Sequence, residues 1–178
     1  GKLVGSATAD ANGKFSLLPA TPLADGAQVS VVATDAAGNA SSPATMVVDG
    51  TAPLAPVVNP TDGSRITGTA ESGSVVTVKD GAGKLIGSAT ADANGKFSIT
   101  PATPVADGTT ITTVATDRAG NASQPVATTV DSTPPSRPSV DATNGSLITG
   151  SAEQGSIVTV RDGAGNLVLD GEHVGELT

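Results

Sequence analysis

The sequence predicts an all-β chain made of tandem β-sandwich modules, and three observations carry that prediction. Runs rich in Thr, Val and Ser are broken about every 8 to 12 residues by Gly, Asn, Asp or Pro, the pattern of short strands joined by turns. No apolar period of 3.6 residues survives those breaks, so helices are not expected. Finally, Gly83 to Phe97 repeats Gly1 to Phe15 almost residue for residue, an offset of 82 (83 minus 1). Roughly two-thirds of the paired positions from Gly1 to Pro53 are identical, a self-similarity that marks tandem modules. Further on, Ile66-Thr67-Gly68-Thr69-Ala70-Glu71 returns as Ile148-Thr149-Gly150-Ser151-Ala152-Glu153. The expected organisation is therefore the later part of one module over residues 1–52, a complete module over 53–134, and the earlier part of a third, diverging module over 135–178.

Seven strands are expected in the complete module. The first, residues 55–59, follows a proline-rich junction, and Pro60-Thr61-Asp62-Gly63 turns it into residues 66–70. There Ile66, Gly68 and Ala70 share one face by the strand period of two. Glu71-Ser72-Gly73 leads into residues 74–79, with Val76 and Val78 inward and Thr77 and Lys79 outward. Asp80-Gly81-Ala82-Gly83 reads as a hairpin turn, because glycine reaches positive φ without steric cost. Residues 85–91 follow, then the Asp92-Ala93-Asn94-Gly95 turn and residues 96–100, which send Phe97 and Ile99 into the core. The long Pro101–Gly108 loop is expected to cross between sheets. Residues 109–116 present Ile111, Thr113 and Ala115 on one face, where the first copy has Val29, Val31 and Ala33. The last strand is expected at 122–131. The junctions Ser132-Thr133-Pro134-Pro135 and Gly50-Thr51-Ala52-Pro53 should be short and stiff, because proline removes donors and fixes φ.

Composition narrows the function. Of 178 residues, 1% are aromatic, with two Phe and no Trp or Tyr. The core must be made of aliphatic side chains and Thr methyls, and a module of this size should be only marginally stable. The net charge of −8 argues against nucleic acid and anionic membrane surfaces, both of which need clustered Lys and Arg. Cysteine is absent, so no disulfide staples the modules. No apolar run approaches the ~20 residues of a membrane span; that no signal peptide opens the chain says little, because the chain starts inside a repeat.

Three stretches together resemble the bacterial immunoglobulin-like repeats of giant secreted adhesins and biofilm-associated proteins. They are Ala115-Thr116-Asp117-Arg118-Ala119-Gly120-Asn121, Val130-Asp131-Ser132-Thr133-Pro134-Pro135, and Gly68 through Val78. The resemblance covers nearly the whole chain and departs after Asn166. It implies immunoglobulin-like sandwiches in an extracellular stalk on a bacterial surface, often with Ca²⁺ near domain junctions. The neighbouring repeats of the same chain are then the principal partners.

Calcium is the sharpest local expectation. With strands running antiparallel, turns alternate between the two ends of each sandwich, so Asp62, Asp80, Asp107 and Asp131 fall at the end leading into the next module. Glu71, Asp92, Asn94, Asp117 and Asn121 fall at the other end. The first junction brings Asp25 and Asp49 toward the second set, and the second junction brings the first set toward Glu153. Ca²⁺ takes six to eight oxygens in irregular geometry, which such a junction can supply. The candidate ligands are Asp49, Glu71, Asp117, Asn121, Asp131, Asp80, Asp62 and Glu153. The alternative reading is that each is a turn former whose side chain bonds to nearby backbone. Asp92-x-Asn94-Gly95 resembles the opening of an EF-hand loop but lacks the rest, so it too reads as a turn.

No catalytic constellation is legible. His173 is the only histidine and lies off the repeat, which leaves no repeated acid–base or nucleophile pairing. Gly81-Ala82-Gly83-Lys84-Leu85-Ile86-Gly87 misses the dinucleotide fingerprint by one residue of spacing, and no Gly-Lys pair precedes Ser or Thr. Asn39-Ala40-Ser41 and Asn121-Ala122-Ser123 match the glycosylation sequon but read as turns. The function expected is a structural spacer. The alternative is a binding module whose Pro19–Gly26 and Pro101–Gly108 loops recognise a carbohydrate or protein. Because residues 1–52 and 135–169 hold complementary sets of strands, one molecule's tail could complete the next molecule's head in a head-to-tail contact; truncation from a longer chain is the favoured alternative.

Overall fold

The computed structural model describes residues 1–168 and divides into two compact units, Gly1–Ser132 and the residues from Thr133 onward. His173 lies outside the described residues. The complete module holds seven strands: β3 (Val57–Val58), β4 (Ile66–Thr69), β5 (Val75–Asp80), β6 (Leu85–Thr90), β7 (Lys96–Ile99), β8 (Thr110–Thr116) and β9 (Val126–Thr129). Two antiparallel sheets form, ordered β3-β4-β7 and β6-β5-β8-β9. The Pro101–Gly108 loop carries the chain from β7 in one sheet to β8 in the other, as expected.

The strand period of two decides what the sheets enclose. Ile66, Val76, Val78, Phe97, Ile99, Ile111, Ala115 and Val130 form the core, and all are buried. Thr113 is also fully buried, paired with Val78 on β5 and Val126 on β9. At Gly68 a side chain has no room: a Cβ there would lie 2.0 Å from the Val57 carbonyl oxygen and 2.8 Å from Phe97 Cζ. Its lack of a side chain lets β3 and the single Phe of the module close on the same spot.

Two strands are markedly shorter than the sequence reading. β3 spans only Val57–Val58, because Pro56 and Pro60 flank it and neither can donate to the ladder. The last strand begins at Val126 rather than at residue 122. Ahead of Pro125, Ser123 is instead held against the end of β8, its N–H donating to the Ala115 carbonyl (2.8 Å) and its Oγ accepting from the Ala115 N–H (3.0 Å).

In residues 1–52 only β1 (Gln28–Val31) and β2 (Ala44–Val47) form, as an antiparallel pair. The expected inward face of Val29, Val31 and Ala33 is not buried there, and Val31 is 38% exposed. These residues match β6 to β9 of the complete module, and none of them matches β4 and β5, the strands that cover this face there. The unit from Thr133 onward contains β10 (Ser139–Val140) paired with β11 (Gly150–Ser151).

The module junction as candidate functional site

The acidic turns obey one rule. In Asp10, Asp35, Asp80, Asp92 and Asp162, carboxylate Oδ1 accepts the backbone N–H of the second and fourth residues onward, at 2.8 to 3.0 Å. The residue before the last is glycine at positive φ, for example Gly83 at 80° and Gly120 at 98°. That is a type I turn closed by a left-handed residue, which fits the twist of a hairpin and needs Gly at that place. Asp117 follows the variant in which Oδ1 takes the Gly120 and Asn121 N–H groups (2.8 and 2.9 Å).

Three of these loops end in Asn, and there the side-chain amide closes on the same carboxylate. Asn39, Asn121 and Asn166 Nδ2 donate to the Oδ2 of Asp35, Asp117 and Asp162 at 2.9, 2.8 and 2.9 Å. That hydrogen bond is the chief reason these three carboxyls sit below their ordinary pKa, since donors favour the charged form.

The junction between the first two modules is assembled from such loops. Asp25 precedes β1, and its carboxylate accepts the Gly50 N–H (2.8 Å) and the Thr51 hydroxyl (2.9 Å). These bonds hold its pKa low, the Gly50 backbone contact contributing most. Asp49 Oδ1 takes the Thr51 N–H (3.1 Å). The linker is thereby fastened to the first module, while Pro53 and Pro56 are buried at its other end. Across the joint, Asn121 Nδ2 donates to the Asp49 carbonyl (3.0 Å). The same fastening recurs one repeat later, where the Asp107 carboxylate accepts the Ser132 N–H (2.7 Å).

Of the eight expected calcium ligands, the structure brings Asp49, Asp117 and Asn121 together at the first junction. Asp62 is occupied locally: its carboxylate takes the Ser64 N–H (2.9 Å) and hydroxyl (2.6 Å), which lowers its pKa. Asp80 closes its own hairpin. Glu71 and Glu153 are engaged through their carbonyls, each accepting from the serine three residues on, Ser74 and Ser156. Asp131 donates its N–H to Thr61. Among the described residues, no three acidic or imidazole side chains gather as a metal site would need. Where an ion would bridge Asp117 and the Asp49 carbonyl, an amide N–H₂ already bonds to both oxygens. The residues as placed do not fit calcium at this junction.

Asp25, not among the eight candidate ligands, is also a junction residue. Its signal in the sequence is a spacing: Asp25 to Gly50 and Asp107 to Ser132 are both 25 residues apart.

Elsewhere the surface offers shallow hollows. One of about 350 Å³ is lined by Asp80, Lys84, Leu85 and the Pro101–Ala106 stretch of the long loop. Another of about 400 Å³ lies over Asn59, Arg65, Thr67, Asp92 and Lys96. Neither holds an aromatic ring that could anchor a sugar, apart from the buried Phe97 beneath the second. Among the described residues no helix is long and apolar enough to cross a membrane.

Two sheets of three and four antiparallel strands, joined by a loop that changes sheet and strung in tandem through short linkers, define a chain of immunoglobulin-like domains. The family model described as "Bacterial Ig domain" matches residues 1–50 and 52–132, and the chain belongs to that family. Among solved structures, the chain is similar to the BSP domain of a biofilm associated protein, with 29% identity and a TM-score of 0.42. That match covers 72% of this chain and 22% of the other. It is also similar to domains d3–d4 of the rat CD45 extracellular region, at 11% identity and a TM-score of 0.33, covering 72% and 76% of the two chains. No curated protein matches.

Proposed function

We propose that the chain is a spacer segment of a bacterial cell-surface adhesin or biofilm-associated protein, working outside the cell and without catalysis. The observation that carries this reading is the joint. Consecutive modules of one family meet through a linker that Asp25 fastens to the first module and Asn121 fastens to the second. A linker held at both ends transmits position and force from module to module, and stability in such arrays is a sum of module and neighbour terms. The net charge of −8 keeps neighbouring stalks apart and soluble.

The test pairs small-angle scattering of the chain with a glycan and protein array. The spacer reading expects scattering that one fixed arrangement of residues 1–132 fits, and no saturable capture on the array. Saturable capture lost on changing the Pro101–Gly108 loop would move the function to ligand recognition.

Calcium at the junctions is a separate proposal, motivated by the carboxylate content and the family resemblance; the geometry of the first junction does not support it. Its test is a thermal melt in a few millimolar Ca²⁺ and then in chelator. Superimposable melts remove calcium from the spacer, and a Ca²⁺-dependent rise would require the junction loops to rearrange around an ion.

A further inference from the structure

We infer that the Asn closing the Asp-x-x-Gly-Asn loop between β8 and β9 is the residue that sets the angle between modules, and that it does so as a hydrogen-bond donor. The inference rests on the spacer reading and adds the residue and chemistry that make the joint stiff.

Asn121 makes two bonds with one nitrogen: Nδ2 donates to Asp117 Oδ2 (2.8 Å) and to the Asp49 carbonyl (3.0 Å). Both partners are acceptors only, so the side chain can face them with its N–H₂ group and not with Oδ1. Each side of the contact is also held in place before the modules meet. On one side, Asp117 orients the Asn121 amide and takes the Asn121 backbone N–H at 2.9 Å. On the other, the Asp49 carbonyl is carried on a turn that Asp25 fastens through Gly50 and Thr51. A donor and an acceptor positioned beforehand lose little freedom on meeting, which is what gives a single exposed bond directional value. The amide already joins the two oxygens by donating a hydrogen bond to each, the bridging job a cation would otherwise do.

The repeat supplies its own control. Asn39 closes the same loop in the first copy, with the same Nδ2 to Asp35 Oδ2 bond at 2.9 Å. It makes the loop bond and not a junction bond within the described residues. Removing Asn39 therefore costs only the loop term, whereas removing Asn121 costs the loop term and the latch.

The chain has no cysteine, so Ser30→Cys on β1 and Ser88→Cys on β6 accept spin labels cleanly in the full 178-residue chain. The distance distribution between them is measured by pulsed electron spin resonance, with thermal melts alongside. Unmodified loops are expected to give one narrow distance, unchanged by chelator or by Asn39→Ala. Asn121→Ala is expected to lower the ratio of latched to open joint by about two- to tenfold, the worth of one net hydrogen bond. Asn121→Asp keeps the size but puts a carboxylate against two oxygens, and is expected to open the joint further. Narrow distributions in both Asn121 variants would overturn the latch while leaving the spacer reading intact. A broad distribution already present without substitution at 121 would overturn the spacer reading and the latch together.

Discussion

Thr113→Val should stabilise the complete module. The Thr113 side chain is fully buried in the middle of β8, and its hydroxyl is, among the described residues, a buried polar atom with no hydrogen-bond partner. Leaving such a group unsatisfied costs about 1–3 kcal/mol, whereas replacing it by an apolar group of the same shape removes the penalty. Valine fits the same β-branched outline and has equal or better strand preference. The first repeat already carries Val31 at the matching place. A gain of about 1–2 kcal/mol is expected, and in a domain of this size each kcal/mol moves Tm by about 4–8 °C. Far-UV circular dichroism melts of the chain and its variant read this directly. Thr129→Val serves as the control, because Thr129 is exposed at the end of β9, and it should stay within about 0.5 kcal/mol of the parent. An unchanged or lower Tm for Thr113→Val, with the control unchanged, would refute the view that this hydroxyl is a cost.

Gly68→Ala should lower Tm sharply, because its Cβ would stand 2.0 Å from the Val57 carbonyl and force β3 off the sheet; overpacking of this kind costs about 1–3 kcal/mol or more, and a melt within error of the parent would contradict the close approach. Acid should destabilise the chain in a defined window. Asp25, Asp35, Asp62, Asp117 and Asp162 all sit below the ordinary value of 3.8, because hydrogen-bond donors hold their charged forms. Their contribution is fully present above the unfolded value and is lost as pH falls through the lowered folded values, so Tm should be flat from about pH 5 to 8 and drop below about pH 4. A Tm that rises on acidification to that range would reverse the sign and sink the assignment. Head-to-tail self-association is read by sedimentation equilibrium: apolar side chains such as Leu18 (96% exposed) and Ile157 (94% exposed) stand open in the two flanking segments. An apparent mass that rises with concentration would support head-to-tail completion over the favoured truncation, and a constant monomer mass up to high concentration would remove it.

Much of the fold was legible in the sequence because strand alternation and turn chemistry are local. The alternation at Ile66, Val76, Val78, Phe97, Ile99 and Ile111 named the core, and the Asp-x-x-Gly loops named the hairpins, since each turn is closed by its own carboxylate and a glycine at positive φ. The repeat by itself placed Asp49 and Asn121 at the same joint. What those residues do there depends on tertiary structure. A carboxylate's spare valence depends on which N–H groups fold back onto it. Asp117 spends its oxygens on Gly120 and Asn121, and Asp62 on Ser64, so a run of acids that reads as a cation site becomes a set of closed turns. Asp25 shows the converse. Strand alternation places it near the first junction, but only the return of residues 49–51 to that loop, twenty-five positions later, makes it the anchor of the linker. The unpartnered hydroxyl of Thr113 and the missing space at Gly68 were equally hidden. Both are set by what approaches from the other strands, a distance that no neighbour in the chain records.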